Sequence, residues 1–151
     1  MSERIPVRLY ANSTCIKNGT ESSSGGWCAI LRYGTSHEKT LKGFESSTTQ
    51  NKMALRAIIE GVKALSKPCE VTVIVNSRYI VDTSGSMKDF KSRGWKTKAG
   101  VQMANLDLWQ ELIAVGKEGG HHMNFQIVEE NPGLGYIDRC SHVARSEVER
   151  A

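Results

Sequence analysis

Glu70-Val71-Thr72-Val73-Ile74-Val75 is a run rich in β-branched residues with little polar interruption. Such a run reads as a strand buried on both faces, the pattern of a parallel sheet covered by helices and not of a half-solvated hairpin. Its flanks supply the helices. Upstream, residues 49–65 place Met53, Ile58, Ile59, Val62 and Leu65 on or near one helical face, with Thr49 as N-cap and Pro68 as the break. Downstream, residues 77–83 and 87–93 read as short helices parted at Ser84-Gly85-Ser86. Residues 105–115 read as a longer helix capped by Asn105, with a stripe of Leu108, Leu112 and Val115 and an end at Gly119-Gly120.

Further out, residues 5–11 alternate Ile5, Val7 and Leu9 with polar or small neighbours, and the Ser/Gly-rich residues 18–26 read as a loop. Two more strand-like runs, residues 27–33 and 39–46, are joined at Gly34-Thr35-Ser36, so the chain begins as an antiparallel meander. Residues 123–128 form a last strand, residues 131–135 a loop around Pro132, and residues 136–149 a final helix. The order βββαβ, helices, β, α predicts an α/β fold, a five-stranded mixed sheet with helices on both faces. With no internal repeat or linker, residues 1–151 read as a single domain.

At 39% apolar and 24% charged residues the composition excludes wholesale disorder. No apolar stretch is long enough to span a membrane, and Met-Ser-Glu-Arg at the start carries no secretory core, so a soluble, cytoplasmic protein is expected. Cys15, Cys28, Cys69 and Cys140 lack metal-binding spacing and are expected as free, mostly buried thiols. Asn12-Ser13-Thr14 and Asn18-Gly19-Thr20 fit a glycosylation pattern that carries no meaning in that compartment. His121-His122 reads as an exposed turn, and His37 and His142 as surface residues, so no metal site is expected.

The net charge of +4 has a local origin: Lys88, Lys91, Arg93, Lys96 and Lys98 face only Asp89, and the remaining fifteen basic and fifteen acidic residues balance. Phe90 and Trp95 lie among these cations. Two readings of the segment stand: a surface for a phosphate backbone with stacking aromatics, or a solvated amphipathic helix whose aromatics face the core.

Several local sequences, in this order, resemble type 1 ribonuclease H of the bacterial kind. They are Gly25-Gly26-Trp27-Cys28-Ala29-Ile30-Leu31-Arg32-Tyr33, Thr48-Thr49-Gln50-Asn51-Lys52-Met53, Ser92-Arg93-Gly94-Trp95-Lys96-Thr97, Asn105-Leu106-Asp107-Leu108-Trp109 and Asp138-Arg139-Cys140. The resemblance runs from about Arg8 to Arg145. It implies the ribonuclease H-like fold and, in the family, cleavage of the RNA strand of RNA/DNA hybrids by two magnesium ions held between four carboxylates. The matching positions here hold Asn12, Ala54, Asn76 and Ser141, and the family's loop histidine aligns with Asn131. Restoring four acids would bring the net charge of +4 to zero, so their loss makes the cleft neutral. The resemblance then predicts a catalytically inactive homologue, not an enzyme, with no cofactor. Acids relocated to Glu129, Glu130 and Asp138 are a less favoured arrangement, because adjacent residues on a strand point to opposite faces.

What the resemblance leaves is recognition. Cys15, Asn18, Gln50, Asn51 and Arg78 match positions that read 2′-hydroxyls across the minor groove. Arg93, Trp95 and Lys96, with Lys91 beside them, match the family's basic protrusion, while Thr49 and Asn105 match the residues that grip a phosphate. Met87 and Phe90 stand where larger aromatics are expected, and the loop over residues 16–24 is longer than the family's. The expected partner is an RNA/DNA hybrid or a related duplex. A protein-interaction module, such as an inhibitor or decoy from a phage or mobile element, is the alternative.

Overall fold

The computed structural model describes residues 4–18, 20–34, 36–128 and 133–149. β1 (Ile5–Ile16), β2 (Ser24–Tyr33) and β3 (His37–Ser46) form the expected antiparallel meander, with Leu9 opposite Leu31 and Ile30 opposite Thr40. β4 (Cys69–Val75) lies parallel to β1 on one side and to β5 (His122–Ile127) on the other, giving the order β3-β2-β1-β4-β5. Parallel steps need crossovers. α1 (Gln50–Lys63) makes the first, and α2 (Arg78–Gly85), α3 (Met87–Ser92) and α4 (Leu106–Glu118) make the second. α5 (Gly133–Glu149) closes the chain.

The side chains of β1 alternate between two cores. Leu9 and Ala11 join Val71 and Val73 beneath α1 and α4, where Leu55, Ile58, Trp109 and Leu112 are buried. Tyr10 points the other way, into a smaller core with Cys28, Ile30, Ile137, Cys140 and Ala144 of α5. The burial of β4 on both faces is corrected: Val71, Val73 and Val75 are buried, but Thr72 and Ile74 only half so. The reason is that α5 lies over β1 and β2, and β4 is left under its margin.

Boundaries move at both ends of the chain. β1 continues through Ile16, because Gly25 and Gly26, read as loop, pair with Cys15 and Thr14 as part of β2. α5 begins at Gly133, inside the expected loop, whose residues 131 and 132 lie outside those described. Arg56 ties three elements together, facing Glu111 at 3.1 Å, Glu60 at 3.4 Å and Glu45 at 3.6 Å, with Lys63 also 3.5 Å from Glu60.

All four cysteines are free, and three are buried, Cys15 only partly. His122 is exposed and pairs with Glu70, but it opens β5 and does not lie in a turn. His121 is not an exposed turn: it is half-buried and its Nδ1 accepts the Cys69 amide at 3.0 Å. Burial, then the nearby Arg4, lowers its pKa below the ordinary histidine value. The folded chain therefore binds fewer protons here than the unfolded chain, and stability falls as pH drops through the ordinary histidine value toward the depressed folded one. Urea midpoints are expected to decline over that interval in the wild type and to stay flatter in His121→Gln; parallel curves would contradict the assignment.

Candidate nucleic-acid interface

A cleft of about 520 Å³ opens where β1 and the end of β4 meet the N-termini of α1 and α2. β1 contributes Asn12 and Ser13, the start of α1 contributes Thr49, Gln50, Asn51 and Ala54, and the far wall holds Asn76, Ser77 and Asn105. Asn18 reaches in from the loop after β1. Among the described residues, no charged side chain lines it. The fold thus gathers eight of the positions singled out in the sequence, separated by up to 93 residues between Asn12 and Asn105, into one polar concavity.

Hydrogen bonds set its shape. The Asn12 Nδ2 donates to the Ile137 carbonyl at 3.3 Å, tying β1 to α5, while its Oδ1 accepts the Ser13 amide at 2.8 Å. A carboxylate could not make the first of these bonds. The Ser13 hydroxyl donates to the Gln50 carbonyl at 2.9 Å, and the Gln50 amide donates to the Asn18 Oδ1 at 2.9 Å. Thr49 is the N-cap of α1 as expected, accepting the Lys52 amide at 3.1 Å.

Asn105 sits at the N-cap position of α4 but does not cap it. Its backbone is left-handed, with φ of 59°, and its Nδ2 donates to the Tyr79 hydroxyl at 3.0 Å. The same hydroxyl accepts the Trp109 Nε1 at 3.1 Å and donates to the Ala104 carbonyl at 3.3 Å. Tyr79 therefore positions Asn105, a role without a local sequence signal because its partners lie 26 and 30 residues away. Ser13 and Ser77 were also missed. Ser77 carried a signal, as a Ser ahead of a helix, and it caps α2 by accepting the Ile80 amide at 3.3 Å.

Other predicted residues lie outside the cleft lining. Cys15 is half-buried on β1, its thiol 3.8 Å from the Thr48 carbonyl, and burial raises its pKa. Arg78 is exposed on the first turn of α2. Ser141 is half-buried on α5, and Asp138 is exposed there. Asn131, Glu129 and Glu130 lie outside the described residues.

In the basic segment the aromatics face the core and the cations face solvent, the second of its two readings. Met87, Phe90 and Trp95 are half-buried against the main core, while Lys88, Lys91, Lys96 and Lys98 are exposed. Gly94 and Trp95 are consecutive left-handed residues, with φ of 69° and 68°, and they turn the chain back so that the Met103 amide reaches the Trp95 carbonyl at 3.0 Å. Arg93 stacks its guanidinium 5.2 Å from the centre of the Phe90 ring and donates from Nε to the Lys96 carbonyl at 3.0 Å. From Met103 the chain runs directly to Asn105 in the cleft.

This sheet order, with helices on both faces and a polar cleft at the ends of β1 and β4, defines an α/β protein of the ribonuclease H-like class. The RNase H family profile matches residues 4–148, and the chain belongs to that family. The Ribonuclease H of Caldicellulosiruptor saccharolyticus is 41% identical over 144 residues, covering 94% of this chain and 95% of the relative. That of Thermus thermophilus is 37% identical, covering 98% and 87%. Among solved structures, LC9-RNase H1, described as a type 1 RNase H with the type 2 active-site motif, aligns at a TM-score of 0.83 and 28% identity, covering 99% of this chain and 75% of that one.

These relatives correct one expectation. Asn12, Ala54, Asn76 and Ser141 led to the reading of a non-enzyme, yet near-full-length relatives at 33–41% identity bear an enzyme's name. Membership of an enzyme family is the finding, and inactivity is not.

The donor set of the cleft is a separate matter. The family implies magnesium, a hard cation that prefers anionic oxygens. Among the described residues the lining offers amide and hydroxyl oxygens and no carboxylate, and both polar atoms of the Asn12 side chain are already engaged within the protein. These residues do not fit a pair of magnesium ions. Melting temperature is accordingly expected to be the same in chelator and in millimolar magnesium, since a ligand stabilises only the state that binds it. A rise of several degrees with magnesium would contradict this.

Proposed function

We propose that the chain binds an RNA/DNA hybrid, or a related duplex with one A-form strand, with the RNA minor groove against the cleft and a phosphate backbone along the basic segment. The observation that carries this reading is the convergence of Asn18, Gln50, Asn51 and Asn105 in one polar concavity, uncharged among the described residues, beside exposed lysines. Neutral amides can exchange hydrogen bonds with 2′-hydroxyls, which distinguish RNA from DNA, while cations hold phosphate without reading sequence. Cys15 and Arg78 extend the groove-facing set, Thr49 and Asn105 form the phosphate grip, and Lys91, Arg93, Trp95 and Lys96 form the backbone contact.

The test is anisotropy with labelled hybrid, DNA duplex and RNA duplex across a salt series. Gln50→Ala or Asn51→Ala is expected to reduce the preference for hybrid over DNA duplex by roughly two- to tenfold, the worth of one net hydrogen bond, and to leave the salt slope unchanged. Hybrid bound no tighter than by an unrelated protein of similar charge would overturn the proposal.

A further inference from the structure

A second concavity, of about 550 Å³, lies between α3 and the outer face of α4. Met87, Trp95, Ile113 and Ala114 make an apolar floor, and Lys88, Lys91 and Lys117 stand around it, with no acidic residue in the lining among the described residues. Its α4 wall consists of Gln110, Ile113, Ala114 and Lys117. Their spacing of i, i+3, i+4, i+7 is one continuous helical stripe. That stripe is turned away from the core, which takes Leu108, Trp109 and Leu112 of the same helix. Ile113 is 37% exposed. Among the described residues, none of the three lysines is in an ion pair.

We propose that this groove docks an acidic, amphipathic peptide segment of a protein partner. An apolar trough of this size, with an exposed isoleucine in it, is a surface whose burial is favourable. Lys91 and Trp95 are shared with the proposed backbone contact, but a phosphate backbone would leave Met87, Ile113 and Ala114 uncovered, since interfaces with nucleic acid are more polar than those between proteins. A basic segment would be repelled by three unpaired cations. A segment presenting leucine or phenylalanine on one face and carboxylates on its flanks matches both the floor and the rim, the helix-in-groove mode of recognition with electrostatic complementarity at the edge. The volume lies within the range of ordinary binding pockets.

The probe is a short labelled synthetic peptide with Leu or Phe at i, i+3, i+4 and i+7 and Asp or Glu elsewhere, titrated with the full chain. A peptide of equal charge carrying serine in place of its apolar residues is the control. Binding is expected to be at least tenfold weaker for the control, and about tenfold weaker for Ile113→Asn than for the wild type, the cost of one lost apolar anchor. Hybrid binding, measured on the same samples, is expected to be unchanged by Ile113→Asn, since that residue belongs to neither the cleft nor the basic contact; unchanged circular dichroism establishes folding. Absence of peptide binding, equal binding of the serine control, or equal binding by Ile113→Asn would each overturn the proposal. A loss of hybrid affinity in Ile113→Asn would overturn it too, by assigning the groove to nucleic acid. Failure of the wild type to bind hybrid while peptide binding follows the expected pattern would overturn only the reading of the cleft.

Discussion

Replacing Gly26 by alanine is expected to lower stability by about 3 kcal/mol, the upper end for a single overpacked site, and the melting temperature by roughly 6–12 °C. Gly26 lies inside β2, opposite Thr14 of β1 and Phe44 of β3. A Cβ there would come within 2.1 Å of the Ala144 carbonyl oxygen and 3.0 Å of its carbon. Both are backbone atoms of α5, so no rotamer change relieves the clash. Either the helix lifts, uncovering Ile137, Cys140 and Ala144, or β2 bends. Gly85→Ala is the matched control, since a Cβ there has nothing within 4 Å and the residue lies on α2. Alanine is the better helix former, so that variant is expected to be neutral or more stable. Equal thermal unfolding of the two variants would show that α5 does not ride so close to the sheet.

Removing Arg93 and Lys96 together is expected to weaken hybrid binding by roughly 10- to 30-fold near physiological salt and to flatten the salt slope by about two units. Each phosphate contact to a duplex contributes a slope of about 0.9 through counterion release, or about fivefold in affinity at that ionic strength. The loss should be uniform across sequences. Lys96→Ala alone isolates the charge, because the Arg93 side chain also holds the Lys96 carbonyl and covers Phe90. A double variant with an unaltered salt slope would place the phosphate contacts elsewhere.

The sheet was largely legible because its signals are local. β-branched continuity marked β4, alternation marked β1, and Thr49 ahead of an amphipathic stretch marked the cap of α1. Errors arose where a residue's role is set at a distance. Glycine was read as punctuation at Gly25 and Gly26, whereas both lie in a strand that must let a helix backbone or Met53 come near. Asn105 was read as a cap from its place in the chain, but Tyr79 claims its side chain. His121 looked solvated beside two glycines, and the Cys69 amide, 52 residues away, buries it in a bond. No propensity favours Trp95 at positive φ, so the tight return that brings the basic segment toward the cleft could not be read from composition. The cleft residues share no periodicity and were reached only through the resemblance.

The Arg56 knot, with Lys63, sets two cations against Glu45, Glu60 and Glu111, and so leaves that flank slightly acidic. The four lysines and one arginine in and after α3 face only Asp89, so most of their potential extends into solvent. An approaching polyanion is therefore drawn toward that end more than toward the Arg56 flank, and the resulting torque turns it forward before contact. Orientation during approach becomes a property of where charges cancel, and the encounter rate inherits its ionic-strength dependence from carboxylates that never touch the ligand.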